Sequence, residues 1–185
     1  MNPSEVIALA LAESYSQVES MILPVEFQNA FHLLKDKLGS WNPDYLIMLG
    51  QAKGRKDICF EKVGLNWMES DVKDEAGVRP ESGKILKESD LALMSRFPIE
   101  TAFLEMKKAQ LPFSVSFSAG TYVCNELYFR VLENFKDLRS VFIHVPIATE
   151  QLKPGESVPT ISIAGQIKCL KFLIAFMLTA VESRP

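Results

Sequence analysis

Phe113-Ser114-Val115-Ser116-Phe117, followed by Ser118-Ala119-Gly120-Thr121-Tyr122-Val123-Cys124-Asn125, reads as a strand, a short turn and the start of a helix. The strand carries aromatic and β-branched residues, and the turn supplies a glycine before the next apolar run. The helix is expected to run to about Phe135, and Val141-Phe142-Ile143 then forms a strand that stops at His144-Val145-Pro146. Upstream, Tyr45-Leu46-Ile47-Met48-Leu49 is a continuous apolar run between Asn42-Pro43-Asp44 and Gly50, the pattern of a strand covered on both faces. Strands alternating with helices predict a single three-layer α/β/α domain over residues 1–185, with a mostly parallel central sheet.

The remaining segments fit that frame. Asn2, Pro3 and Glu5 predict a capped helix start, and the run Val6 to Ala12 is apolar almost all round, so that helix is expected to be buried. Residues 18–23 read as a short strand ending at Pro24, Phe27 to Leu38 as a helix, and Ile58 to Trp67 as another strand. Glu69 to Gly83 reads as a charged surface excursion, and helical spacing returns from Pro98 to Gln110. Ile167, Leu170, Leu173, Ile174, Met177, Leu178 and Val181 share one face of a C-terminal helix; Phe172 and Phe176 lie off it and suggest wider burial or an oligomer face.

Bulk composition narrows the function. A chain of 185 residues, 48% hydrophobic and 23% charged, is neither disordered nor collagen-like and is long enough to bury a core. Twenty Lys plus Arg against 23 Asp plus Glu, with no basic run, argue against a nucleic-acid partner. The N-terminus has no basic, cleavable leader, and Leu170 to Val181 is too short to span a bilayer, so no membrane partner is expected. Three cysteines outside any CxxC pattern suit a reducing compartment, and the expected location is the cytoplasm.

Chemistry in an open α/β sheet gathers where strands end and helices begin. Cys124 stands near a helix start, where unpaired amides and the macrodipole favour thiolate. His144 ends the next strand and would serve as base, then acid; Glu61 would orient the imidazole. The plainer readings are that a thiol is a small buried hydrophobe, a strand-end histidine a structural hydrogen-bonder, and Glu61 a solvated carboxylate. Cys59, Cys169 and His32 are assigned such structural roles.

Ser116 to Asn125 closely resembles the active-site cysteine signature of pyroglutamyl peptidase I (pyrrolidone-carboxylate peptidase). Leu49-Gly50-Gln51-Ala52, with Gly54-Arg55 and Ile58 to Asn66, resembles that family's glutamate signature; Phe142 to Pro146, with Glu150-Gln151, resembles its histidine segment. The resemblance implies removal of N-terminal pyroglutamate from peptides, with Cys124 as nucleophile, His144 as general acid/base and Glu61 as orienting carboxylate. It also implies a metal-free site without a cofactor, and a homotetramer. Asn2 and Gln51 fall at its lactam-reading positions, and Val25, Val72, Tyr122 and Val123 at pocket-wall positions. An apolar slot with few polar contacts would discriminate a neutral lactam from a charged glutamate, whose desolvation is expensive.

The chain also departs from the family pattern. Family members place a strand and a Gly-Phe-Glu-Pro-Phe-Gly-Gly loop before the Asn-Pro-Ser segment, whereas this sequence reads Met1-Asn2-Pro3-Ser4 from its first residue. The family's oxyanion arginine is replaced by Asp71, with Lys73 a candidate substitute, and Lys53 and Cys59 stand where small or hydroxyl residues are usual. Three other accounts therefore stand beside the active peptidase. One is a catalytically silent relative acting as a scaffold or binding protein, and one a start codon lying upstream of Met1. The third, a nucleoside-processing enzyme of similar architecture, rests on fold analogy alone.

Overall fold

The computed structural model describes residues 2–182, with the side chains of 180–182 left aside. Helix α1, Pro3–Ser14, begins at Asn2, whose side-chain oxygen accepts from the Ser4 amide at 3.2 Å and the Ser4 hydroxyl at 2.8 Å. Ser4, rather than Glu5, closes this cap. Ile7 and Leu11 turn one face of α1 into the core while Leu9 is exposed, so the helix is one-sided rather than buried all round. It lies against the sheet and the C-terminal helix, and two neighbours can cover only part of its circumference.

Helix α2, Asn29–Trp41, leads to strand β1, Tyr45–Gln51. Strand β2 is Ile58–Glu61, β3 is Val63–Leu65 and β4 is Ala92–Met94. Helix α3, Ile99–Lys108, precedes β5, Phe113–Ser116; helix α4, Val123–Asn134, precedes β6, Arg139–Val145; and α5 is Ile163–Glu182. The main sheet has the order β1-β6-β2-β5, with β6 parallel to β1, β5 parallel to β2, and β2 antiparallel to β6.

Side-chain alternation divides the core in two. Val141, Ile143 and Val145 of β6 and Ile58 and Phe60 of β2 face α1, α3 and α5. Leu46 and Met48 of β1 and Phe142 of β6 face α2 and α4. The expected three layers are therefore present. On α5, Leu170, Leu173, Ile174 and Met177 are buried, Ile167, Leu178 and Phe176 pack against the same core, and Phe172 is exposed. Val181 lies outside the described side chains. Among the described residues no helix is long and apolar enough to cross a membrane.

Two expected strands change on folding. Residues 18–23 are irregular, because β1 ends the sheet and no described strand lies alongside to share a ladder. Val18 instead packs on one core and Leu23 on the other. The expected strand Ile58–Trp67 breaks at Lys62, whose amide donates to Ser116 O and whose carbonyl accepts from Ser95 N. Beyond it, β3 leaves the main sheet and pairs with β4. β3 approaches α4 so closely that a Cβ on Gly64 would lie 3.2 Å from Phe129 Cα and 3.0 Å from Leu132 Cδ1.

The excursion 69–83 is mostly exposed but is anchored by a buried carboxylate. Asp74 accepts from Phe27 N at 3.0 Å and Val78 N at 2.7 Å, and Glu75 accepts from Val25 N at 3.0 Å.

Candidate active site

Glu61 ends β2 at 0% exposure, and His144, 5% exposed, lies within β6 just before its last residue. Antiparallel pairing sets Glu61 opposite Phe142, so Glu61 and His144 are diagonal neighbours on one face of the sheet. Glu61 Oε1 and His144 Nδ1 are 2.8 Å apart. An ionised carboxylate only accepts, so Nδ1 donates in this contact and Nε2 is the ring nitrogen left for chemistry. The Tyr128 hydroxyl donates to the Glu61 carbonyl at 2.8 Å, fixing the backbone that carries the carboxylate.

Cys124 is the second residue of α4 and is partly buried. Its sulfur lies beside Gly50, whose register partner on β6 is His144. A Cβ on Gly50 would stand 3.2 Å from Cys124 Sγ and 2.8 Å from Phe142 Cζ. The Phe142 ring in turn packs on the imidazole, with centroids 4.8 Å apart. Gly50→Ala therefore should push both the thiol and the Phe142 ring. A shift of about 1 Å in such a position costs about 10²-fold in turnover, beside roughly 1–3 kcal/mol of stability from overpacking. Steady-state kinetics together with a urea melt would read the two effects separately.

The electrostatics differ from the sequence expectation. Burial pushes the Cys124 thiol up to about 11, and the charge of Glu61 adds to the shift, against the lowering effect of the residue's own backbone amide. Burial outweighs the helix start, so the thiol is neutral at rest.

An apolar wall adjoins the sulfur. Val25, Tyr122, Val123 and Cys124 belong to one cluster with Phe27 and Phe142. Tyr122 stacks edge-on against Phe27 at 5.3 Å and donates its hydroxyl to Lys73 O at 2.9 Å, which brings the 69–83 excursion to the rim. Thr121 and Glu69 are joined there through Thr121 Oγ1 to Glu69 O at 2.8 Å. Val72 is 68% exposed on that excursion, and Asp71 and Lys73 are exposed beside it. Asn2 has its side-chain oxygen engaged in the α1 cap, and Gln51 donates from Nε2 to Gln151 Oε1 at 3.2 Å. Two cavities of about 340 Å³ open at the other end of β1 and β6, beside Asp44, Tyr45 and Arg139, and share no residue with this site.

The family pattern described as Pyroglutamyl peptidase matches residues 1–180. The chain belongs to this family. It is 34% identical over 145 residues to a pyrrolidone-carboxylate peptidase of Thermosipho melanesiensis, covering 76% of this chain and 72% of that one. With the Fusobacterium nucleatum pyrrolidone-carboxylate peptidase it shares 31% identity over 180 residues, covering 94% and 84%. The crystal structure of pyroglutamyl peptidase I from Bacillus amyloliquefaciens superposes with a TM-score of 0.84 at 30% identity, covering 94% of this chain and 85% of that chain. The Thermococcus litoralis pyrrolidone carboxyl peptidase gives 0.85 at 27% identity, covering 98% and 88%.

Within this pyroglutamyl peptidase fold, two supporting residues carried no role in the sequence reading although both lie in the quoted motifs. Asn125, fully buried, donates from Nδ2 to the carbonyls of Leu65 and Trp67 and accepts from Leu65 N, each at 2.9 Å, tying the start of α4 to β3. Arg55 contacts Glu61. A polar residue directly after the cysteine was a visible signal for the first; the second needed the folded geometry.

Proposed function

We propose that the chain is a cysteine omega peptidase that removes N-terminal pyroglutamate from peptides. The observation that carries this reading is the Cys124 sulfur lodged against Gly50, the register partner of a histidine whose Nδ1 is held by a buried carboxylate. His144 Nε2 takes the thiol proton as Sγ attacks the pyroglutamyl carbonyl carbon. The same nitrogen returns that proton to the leaving amine as the C–N bond breaks, leaving a thioester. Water, deprotonated by His144, then cleaves the C–S bond and releases pyroglutamate. The amides of Val123 and Cys124 stand at the start of α4, where Tyr122 makes no side-chain cap bond, and they are suited to the developing oxyanion.

Substrate choice follows from the wall. Val25, Tyr122 and Val123 line an apolar slot for the lactam ring, with Val72 at its rim. Gln51, with Nε2 already given to Gln151, offers Oε1 to the lactam N–H, and Asn2, with Oδ1 committed to Ser4, offers Nδ2 to the lactam carbonyl. Residues 1–185 act as one domain. Three free cysteines suit a reducing cytoplasm, and the family resemblance favours a homotetramer.

The test is hydrolysis of a fluorogenic pyroglutamyl amide against the matching prolyl amide, with light scattering on the same preparation to read assembly. Selective cleavage of the pyroglutamyl compound is expected; equal or no cleavage by a folded sample sinks the reading. Asp71, in place of the family's arginine, favours a catalytically silent binding protein as second reading. Covalent capture of Cys124 by a pyroglutamyl chloromethyl ketone, located by peptide mass, would count against that alternative.

A further inference from the structure

Arg55 comes from the turn after β1, and its Nη2 reaches Glu61 Oε1 at 3.1 Å, Ser116 Oγ at 3.1 Å and Ser118 O at 3.2 Å. One nitrogen thus touches the oxygen that holds His144, the end of β5, and the second residue of the loop leading to Cys124. The groups around the Glu61 side chain come from every packed element: Arg55 from the turn, His144 from β6, Cys59 from β2 itself, Ser116 from β5, and Cys124 and Tyr128 from α4. Of these only Arg55 carries a permanent positive charge, because the ammonium of neighbouring Lys62 is turned to Glu100. A carboxylate at full burial is tolerated when paired and is costly when it is not.

We infer that Arg55 is a positioning residue of the triad, holding Glu61 as the buried carboxylate that orients His144 and fastening the Ser118 loop from which Cys124 is presented. The inference rests on the catalytic reading of Cys124, His144 and Glu61. Two consequences follow. Without the guanidinium, the buried Glu61–His144 pair takes up an extra proton more readily, so the imidazole able to accept the Cys124 proton forms only at higher pH. The loop loses its tie to the carboxylate at the same time, and thiol and base drift apart. A latch that served only folding would produce neither a shifted pH limb nor a dependence on the charge of Glu61.

The experiment compares the unaltered protein with Arg55→Met and Arg55→Lys by two readouts. One is kcat and KM on a fluorogenic pyroglutamyl amide from about pH 5 to 9; the other is the rate of iodoacetamide alkylation at Cys124 over the same range, located by peptide mass. Arg55→Met is expected to lower kcat about 10²-fold with KM within about threefold, and to move the acid limb of both profiles up by about one pH unit. Arg55→Lys, which keeps the charge, should leave the limb in place and recover about tenfold of the lost kcat. An Arg55→Met acid limb that coincides with that of the unaltered protein overturns the inference, whatever happens to kcat. Should Arg55→Met not fold, Arg55→Gln takes its place, because its amide can still donate to Ser118 O while the charge is gone. Its acid limb is expected to move up as well, and a limb that coincides with that of the unaltered protein overturns the inference. If the unaltered protein fails to cleave the amide, the peptidase reading falls, while the alkylation profiles still judge Arg55.

Discussion

Cys124→Ala should show only background hydrolysis of a pyroglutamyl amide at every pH, whereas His144→Ala should lose about 10⁴-fold at pH 7 and regain activity as pH rises. The contrast follows from the thiol's surroundings. Burial and the nearby Glu61 charge raise its ionisation to about 11, so at pH 7 only about one molecule in 10⁴ carries a thiolate unaided. With His144 in place, proton removal accompanies attack and the scarcity does not matter. Without it, the rate is set by the pre-formed thiolate. Because the raised value lies above the assay range, that population grows about tenfold for each pH unit up to about 10. Removing the sulfur leaves nothing to titrate. A His144→Ala profile that is flat in pH would show that the thiolate already exists in the resting protein and that His144 is not its base.

Phe60→Ala should be the most destabilising single truncation on the sheet, by about 3–5 kcal/mol. The ring is fully buried and stacks between Phe113 at 5.1 Å and Phe97 at 6.3 Å, so it joins β2 to β5 and to the segment before α3. Domains of this size are stable by about 5–15 kcal/mol, so the loss removes a large share of the margin. Glu61 is the next residue on β2 and its position depends on that strand. Activity measured during a urea titration should therefore fail together with tryptophan fluorescence at a lowered midpoint. An unfolding free energy within about 1 kcal/mol of the unaltered protein's would mean that the neighbouring rings close over the gap.

How much of this was readable in the chain differs from element to element. β1 and β6 announce themselves as continuous apolar runs, and Cys124, Glu61 and His144 sit in local motifs that can be recognised without a fold. The break at Lys62 could not be placed, because the glycine of this run, Gly64, lies two residues beyond it within β3; the strand ends where its backbone finds partners in Ser116 and Ser95, far along the sequence. Residues 18–23 have strand-like composition, yet a strand is a relation between two segments, and none lies beside this one. The acidity of Cys124 was misjudged for a similar reason. A helix start is a local property, whereas desolvation is decided by Gly50, Phe142 and the rest of the packed wall. Arg55 was visible six residues before Glu61, but its partners Ser116 and Ser118 come from the other half of the site.

The place of β6 in the sheet bears on how the molecule is made. β1 has β6 as its strand neighbour, and β2 is joined to β1 only through β6. A growing chain that has not yet reached Arg139 therefore holds β1 without a partner and β2 beside β5 alone. During synthesis, then, the histidine arrives with the very strand that closes the sheet. Until that moment the chain lacks both the base and the Phe142 side of the wall that buries the thiol. The catalytic set is thus complete only with this late strand, and the core closes after it, when α5 packs on the other face of the sheet.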